Sequence, residues 1–267
     1  MRCRNRWLAT ALIGGLATAG AMVTAQEPPP EDTAARPVRS IEPRADQIFR
    51  AMSEYIASAK EFSFHAEVTR DEVVLDGIKV EYGASGDIGV RRPDRLYAEA
   101  AGDRTSRRFW YDGEHMVVYT EEANVYGKER VPPTIDEALD HVIENLDFSP
   151  PLADFAYRDP YAVMTENVRL GFYVGVAMID GTRCHHLIFL QDDIHWQIWI
   201  EDGKNLVPRK LVITYVDTPS EPRYSAVLSD WDFATRLPDR LFVPDPPDDA
   251  EMIEFLPMSP GPVGRDG

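Results

Sequence analysis

The feature that most constrains this chain is the dipeptide Asp-Gly, which recurs four times between runs of strand-forming residues. It stands at Asp76-Gly77, Asp112-Gly113, Asp180-Gly181 and Asp202-Gly203. Asp-Gly suits a two-residue hairpin turn because both central residues of that turn adopt positive φ. Runs that flank such a turn pair as antiparallel neighbours. The chain is therefore predicted to fold as an antiparallel meander.

The runs around the first turn alternate between apolar and polar side chains, which is typical of half-buried strands. Their apolar positions are Phe62, Phe64, Ala66 and Val68 before the turn, and Ile78, Val80, Tyr82 and Ala84 after it. Comparable runs predict nine further strands, at Arg95–Ala101, Arg104–Tyr111, His115–Thr120, Asn124–Arg130, Val168–Ile179, Thr182–Leu190, His195–Glu201, Arg209–Val216 and Arg223–Phe233.

Two longer stretches carry apolar residues at helical spacing. The first predicts a helix from Arg44 to Ala59, directly after Pro43, which suits a first helical turn. The second begins at Thr134-Ile135-Asp136-Glu137, a capping-box pattern that predicts a helix inserted into the meander. Shorter helices are predicted at Pro151–Ala156 and Pro160–Asn167.

Together these elements predict an α+β fold, a curved antiparallel half-barrel of about 11 strands, because a sheet of this size twists and curls. The N-terminal helix and the helical insert would pack on its concave face and supply the core. The run 184–190 is apolar on both alternating sets of positions. Such a strand is expected where helices cover one face of a sheet and a partner, a ligand or more chain covers the other.

The first 25 residues have the pattern of a cleaved secretory signal peptide. Arg2, Arg4 and Arg6 precede an apolar run that ends in the small-residue site Val23-Thr24-Ala25. An uncleaved membrane anchor is the alternative, since the run is nearly long enough to span a bilayer. We expect a periplasmic or secreted protein, with no stable membrane insertion after cleavage.

Composition shifts divide the rest of the chain. Residues 26–43 are rich in proline and charge and are predicted to form a disordered linker. Residues 44–246 form the predicted domain, and residues 247–267 form a Pro-rich tail in which Met252 to Leu256 could dock. The net charge of −17 makes nucleic acid and anionic lipid headgroups unfavourable partners. After cleavage only Cys184 remains, so no intramolecular disulfide is expected.

Several short motifs, taken in their order along the chain, resemble those of a family of uncharacterised predicted periplasmic proteins. That family is a branch of the LolA/LolB-like lipoprotein-carrier superfamily. The resemblance covers about Arg44 to Pro246. Its motifs are Phe109-Trp110-Tyr111-Asp112-Gly113, the stretch 134–140, Pro151-Leu152-Ala153-Asp154, Asp159-Pro160-Tyr161, Cys184-His185-His186-Leu187, the stretch 196–200, the stretch 208–215 and the stretch 229–233. The resemblance implies an unclosed barrel plugged by helices whose concave apolar face accepts acyl chains. It supplies no catalytic residues.

The leading hypothesis is a non-catalytic periplasmic protein that binds or carries an apolar or amphipathic ligand, such as a lipid or an acylated protein. The residues expected to contact that ligand are aromatic: Trp110, Trp196, Trp199, Tyr215 and Trp231. Trp196 and Trp199 should lie on opposite faces of their strand, so that one could line a cavity while the other packs elsewhere. The alternative is that all of these residues serve core packing.

Charged and metal-binding side chains support two further hypotheses. In the first, an envelope protein docks on an arginine set in two neighbouring strand regions, Arg91, Arg92, Arg104, Arg107 and Arg108, joined by Arg95. The alternative for these arginines is a solvated outer face. In the second, Cys184, His186 and His195 converge on a metal ion, although no CxxC or HExxH spacing supports it. Asp230 and Asp232 share a strand face but match no hydrolase motif. We expect no enzyme activity and no cofactor.

Overall fold

A computed structural model describes residues 39–146 and 152–255. The predicted signal peptide, most of the predicted linker, Pro151 and the tail from Leu256 onward lie outside the described residues. Thirteen strands are described: β1 Ser40–Ile41, β2 Glu61–Val73, β3 Lys79–Arg91, β4 Arg95–Gly102, β5 Arg107–Tyr111, β6 His115–Thr120, β7 Val125–Arg130, β8 Leu170–Ile179, β9 Thr182–Leu190, β10 Ile194–Glu201, β11 Pro208–Tyr215, β12 Arg223–Asp232 and β13 Glu251–Ile253.

These strands form one open sheet in the order β1-β8-β9-β10-β11-β12-β2-β3-β4-β5-β6-β7-β13. Most neighbours are also neighbours in sequence and pair antiparallel, which confirms the predicted meander and half-barrel class. The β12–β2 pair brings the two halves of the meander together. The two edge strands, β1 and β13, pair parallel and were not predicted, because two or three residues are too few to show a period. They lie inside the segments assigned to linker and tail.

Two of the four Asp-Gly dipeptides have positive φ at both residues, as the prediction requires, and a third has it at its glycine alone. Asp76 and Gly77 have φ of 58° and 76°, although they sit in a 3-10 turn, Leu75–Gly77. Gly113 and both residues of Asp180-Gly181 also have positive φ. Asp202-Gly203 does not form such a turn. It begins a longer loop before Pro208, in which the Asp202 N–H donates to the Arg183 carbonyl.

The helices follow their predicted positions closely. Helix α1 spans Pro43–Ser58 with its proline in the first turn, α2 spans Ile135–Leu146 and α3 spans Pro160–Thr165. The Thr134 hydroxyl accepts a hydrogen bond from the Glu137 N–H at 3.3 Å and donates one to the Glu137 carboxylate at 2.9 Å. The first of these bonds is the N-cap half of the capping box that the sequence indicated, and the second joins the side chains of the same two residues. No helix within 39–146 and 152–255 is both long and apolar enough to cross a bilayer.

The core lies between the concave face of the sheet and these helices. Helix α1 buries Ala45, Phe49, Met52 and Ile56 completely, and α2 buries Ile135, Ala138, Leu139 and Val142. The Phe49 ring packs against Phe189 and Trp196, with centroid separations of 5.2 and 5.5 Å. The apolar face of each helix is thus matched to an apolar face of the sheet, which explains why the helices occupy the concavity.

Candidate functional site

The concave face of strands β2 to β5 carries a short covering segment, Leu152–Ala156, which includes a 3-10 turn at Ala153–Ala156. A small cavity of about 20 Å³ lies between this covering segment and the strands. All of its lining residues are apolar: Phe64, Ile88, Val90, Leu96, Ala98, Phe109, Leu152, Ala153 and Ala156. A space of this volume has room for about one water molecule. The concave face of β2 to β5 is therefore filled beneath the covering segment, and its fill is apolar.

An aromatic cluster closes one side of this cavity. The Trp231 ring stacks on Phe64 with centroids 4.3 Å apart, and Phe62 and Phe233 continue the stack. Phe155, from the covering segment, meets Trp231 edge-on at 6.1 Å. The Trp231 indole N–H donates to the Pro208 carbonyl at 3.0 Å, so its polar atom is satisfied. The covering segment thus contributes an aromatic ring to the same apolar surface that it hides.

One partly buried arginine joins the covering segment to helix α1. The Arg92 guanidinium, in the turn between β3 and β4, donates to the carbonyls of Phe155 and Tyr157 at 3.2 and 2.9 Å. It also donates to the carbonyls of Ala59 and Ile56, at the end of α1, at 3.0 and 3.4 Å. Burial lowers the pKa of Arg92 to about 10. The guanidinium still carries its charge at neutral pH and supplies donors to carbonyls at the end of α1, where a helix runs out of main-chain donors.

The predicted ligand-contacting aromatics do not share one surface. Trp196 is fully buried on the concave face, between Phe49 and Phe189, and Trp231 lies at the cavity. Trp199 points to the convex face, where its ring stacks on His186 at 4.1 Å. Trp110 belongs to a separate convex cluster with Val117 and Tyr119. Tyr215 lies at the end of β11, and burial raises its pKa to about 12.

The predicted arginine set separates into two groups at opposite ends of β4, an eight-residue strand about 25 Å long. At one end, Arg91 pairs with Asp239 at 2.6 Å, and Arg92 is partly buried against main-chain carbonyls. At the other end, Arg104 pairs with Glu72 and Arg108 lies over the Tyr119 ring, with Arg107 exposed nearby. The described residues therefore present no single arginine patch. The two groups are close in the sequence, but β4 runs between them and holds them apart in space.

The candidate metal ligands are also dispersed. The Cys184 thiol donates weakly to the Thr182 carbonyl, and burial raises its pKa to about 11. His186 contacts the Gln197 side chain at 3.0 Å, and His195 lies beside Leu190, further along β9. No group of three His, Cys, Asp or Glu side chains suited to a metal comes together in the described parts of the chain. Asp232 instead caps a turn by accepting the N–H groups of Ala234 and Thr235.

Two convex-face histidines should make opposite contributions to the pH dependence of stability. The pKa of His65 is raised, chiefly by its hydrogen bond to Asp87 at 2.8 Å, so its contribution is full below about pH 6.5 and is lost as pH rises through the raised pKa. The pKa of His186 is lowered by burial, so the native state loses stability as pH falls below about 6.5.

Urea unfolding at about pH 5.5 and 8, on either side of the ordinary histidine pKa, tests this pair. His65→Gln is expected to cost more stability at the lower pH, and His186→Gln to cost more at the higher pH. Equal costs at both values for either variant would contradict the assignment of that histidine.

A family model described as "Predicted periplasmic protein (DUF2092)" matches residues 45–256. No curated protein matches the sequence. The match spans most of the chain and agrees with the resemblance to predicted periplasmic proteins that the sequence motifs indicated.

Several solved structures are similar to this chain. The lipoprotein LppX of Mycobacterium tuberculosis is 14% identical, with 73% of this chain and 98% of that chain covered and a TM-score of 0.45. An uncharacterized conserved protein from Thermus thermophilus is 8% identical, with 79% and 99% covered and a TM-score of 0.46. A LolA superfamily protein from Nitrosomonas europaea is 12% identical, with 73% and 96% covered and a TM-score of 0.33. At these values the likeness carries no inference about ligands.

Proposed function

This chain belongs to the DUF2092 family of predicted periplasmic proteins, and on that premise we propose that it binds an apolar or amphipathic ligand without catalysing a reaction. The ligand would lie on the concave face of β2 to β5, where the covering segment now lies. A lipid or the acyl chain of an acylated protein has the required chemistry. The observation that carries the proposal is the cavity beneath Leu152–Ala156, whose lining is entirely apolar.

The cavity is too small for an acyl chain while the covering segment is in place. Ligand entry would therefore require Leu152–Ala156 to move away from the sheet. That movement would expose Phe64, Phe109 and Trp231, a surface that favours hydrocarbon over water. A ligand that binds only the uncovered state would be taken up at a reduced apparent affinity, because part of its binding energy is spent on displacing the segment.

The contacts that hold the covering segment are suited to such a movement. Phe155 and Tyr157 are linked to the rest of the protein by hydrogen bonds from Arg92 to their main-chain carbonyls. The Tyr157 hydroxyl donates to Asp140 of α2 at 3.0 Å. These bonds join the segment to the β3–β4 turn and to α2, whereas the strands beneath it are held by continuous ladders. The segment can therefore open without unfolding the sheet.

A substitution in the floor of the cavity tests the location of the site. Ala98 lines the cavity on β4, whereas Ala100 is two residues further along the same face and is exposed. We expect Ala98→Phe to reduce the affinity for a fluorescent fatty acid at least tenfold, because the ring occupies the ligand's space. Ala100→Phe should leave the affinity within about twofold, as expected of a surface change.

Fluorescence titration of the purified protein with the fatty acid measures both values, and circular dichroism checks that both variants are folded. Native mass spectrometry of the wild-type protein, followed by organic extraction, identifies any lipid that co-purifies. Absence of both fatty-acid binding and co-purifying lipid in the wild type would contradict the proposal. Equal losses in the two variants would contradict the location of the site.

A further inference from the structure

Strand β8 is an unusual edge for so acidic a protein. Its ten residues, Leu170–Ile179, include no charged side chain, although the chain carries 45 acidic and 28 basic residues. Exposed edge strands in soluble proteins are normally protected by lysine, proline or other charged groups, because an unprotected edge pairs with other chains. An edge without such protection indicates that something covers it.

The side chains of β8 strengthen this indication. Leu170, Phe172, Val174, Val176 and Met178 are between 40% and 61% exposed. They account for five of the eleven large apolar side chains exposed in the described ranges, and they occupy alternate positions of one strand. The bulge at Val174 places Leu170 and Phe172 on one face of the strand and Val176 and Met178 on the other. Single exposed apolar residues are ordinary, but a cluster of them on both faces of one edge marks an interaction surface.

The main chain of β8 is open as well. Strand β1 pairs only with Leu170 and Gly171, and the Glu42 carboxylate accepts the Tyr173 N–H at 3.0 Å. Beyond Tyr173, no strand of the described chain lies beside this edge. Because a bulge between Tyr173 and Gly175 shifts the register with β9, strand alternation directs the main-chain groups of Val176 and Met178 outward. These groups need hydrogen-bond partners, which a strand supplies and a lipid surface does not.

We propose that the β8 edge pairs antiparallel with the β8 edge of a second copy of this chain, which joins two half-barrels into one continuous sheet across a two-fold axis. Charge complementarity favours this occupant. Arg44 lies over the Tyr173 ring at 3.8 Å, at the start of the open edge, and Asp180 is exposed at its end. Neither has an ion-pair partner in the described chain. A two-fold axis at the middle of the paired β8 strands would bring the Arg44 of each copy toward the Asp180 of the other.

The oligomeric state of the purified protein in solution tests this interface. We expect a concentration-dependent dimer by sedimentation velocity and light scattering. Val176→Lys should weaken the dimer at least tenfold, because it places a charge on an apolar edge. Leu75→Lys is the matched control: Leu75 is the most exposed large apolar residue described, at 85%, but lies in the β2–β3 turn, so its replacement should leave the dimer unchanged.

A charge exchange makes the test specific to this geometry. Arg44→Asp and Asp180→Arg should each weaken the dimer, and the double variant should recover most of the loss. A wild-type monomer at every concentration, or a dimer that Val176→Lys leaves intact, would overturn the proposal. The proposal would also be overturned if the protein were a monomer that binds phosphatidylcholine vesicles and lost that binding on Val176→Lys. The β8 edge would then be covered by a membrane. The proposal does not depend on ligand binding in the concavity.

Discussion

Replacing Arg92 with methionine is expected to lower the free energy of unfolding by about 3 kcal/mol, because the main-chain carbonyls at the end of α1 and in the covering segment lose charged donors. Methionine retains an apolar stem that can pack near the Phe62 ring, over which the guanidinium lies. The measured loss should therefore report hydrogen bonding more than packing. Urea unfolding followed by circular dichroism gives the value.

The neighbouring residue supplies the control for Arg92. Arg91 makes a single carbonyl contact, to Leu237 at 3.3 Å, and pairs with Asp239, whose side chain is 83% exposed. Ion pairs of this kind contribute about 0–1 kcal/mol. Arg91→Met should therefore cost about 1 kcal/mol or less. If the two variants cost the same, the carbonyl contacts of Arg92 are not the source of its contribution.

The same Arg92 variant bears on ligand entry. Without the guanidinium, the covering segment loses its hydrogen bonds at Phe155 and Tyr157, and its displacement becomes easier. Arg92→Met is therefore expected to speed the association of the fluorescent fatty acid in stopped-flow experiments. An unchanged association rate, in a variant that is destabilised as expected, would show that the covering segment does not limit entry.

Trp196→Ala is expected to lower the free energy of unfolding by about 3–5 kcal/mol, the usual range for a large aromatic residue removed from a core. The indole is completely buried, stacks on Phe189 at 4.2 Å and contacts Phe49 of α1. No hydrogen-bond partner for its N–H is found in the described residues, so its contribution comes from packing. Trp196 therefore acts as the junction between α1 and the sheet.

Trp199 offers a control on the same strand. Its ring lies on the convex face between His186 and the Lys210 ammonium, which is 5.5 Å from the ring centroid. Because it is only partly buried, Trp199→Ala should cost about 1 kcal/mol. Equal costs for the two tryptophans would show that the convex face of β10 is covered in solution by something other than the described chain.

The sequence predicted most of the fold because the relevant signals are local. The period of two, the Asp-Gly turns and the capping box act within a few residues of each other, and they located eleven strands and α2 to within a few residues. The signals failed where the element was too short, as in β1 and β13, or where Asp202-Gly203 began a longer loop. The membership of a predicted periplasmic family was also indicated by short motifs in the sequence.

The candidate site was harder to predict from the sequence than the fold was. Arg92 was grouped with other arginines by its charge, and nothing in its neighbours showed that it would be buried against the carbonyls of Phe155 and Tyr157. The alanines of the cavity carried no signal at all. Their role depends on which segment crosses which strands, and that crossing joins residues more than forty positions apart.

The sequence by itself determined the strand periodicity, the turns and the division of each strand into two faces, because these follow from backbone geometry and nearest neighbours. Only the tertiary structure decided which face is covered and by what. It placed Trp196 beneath α1 and Trp199 outside, put Leu152–Ala156 over the apolar floor, and left β8 as an open edge. Covering a face requires contacts between distant segments, and those contacts are a property of the whole chain.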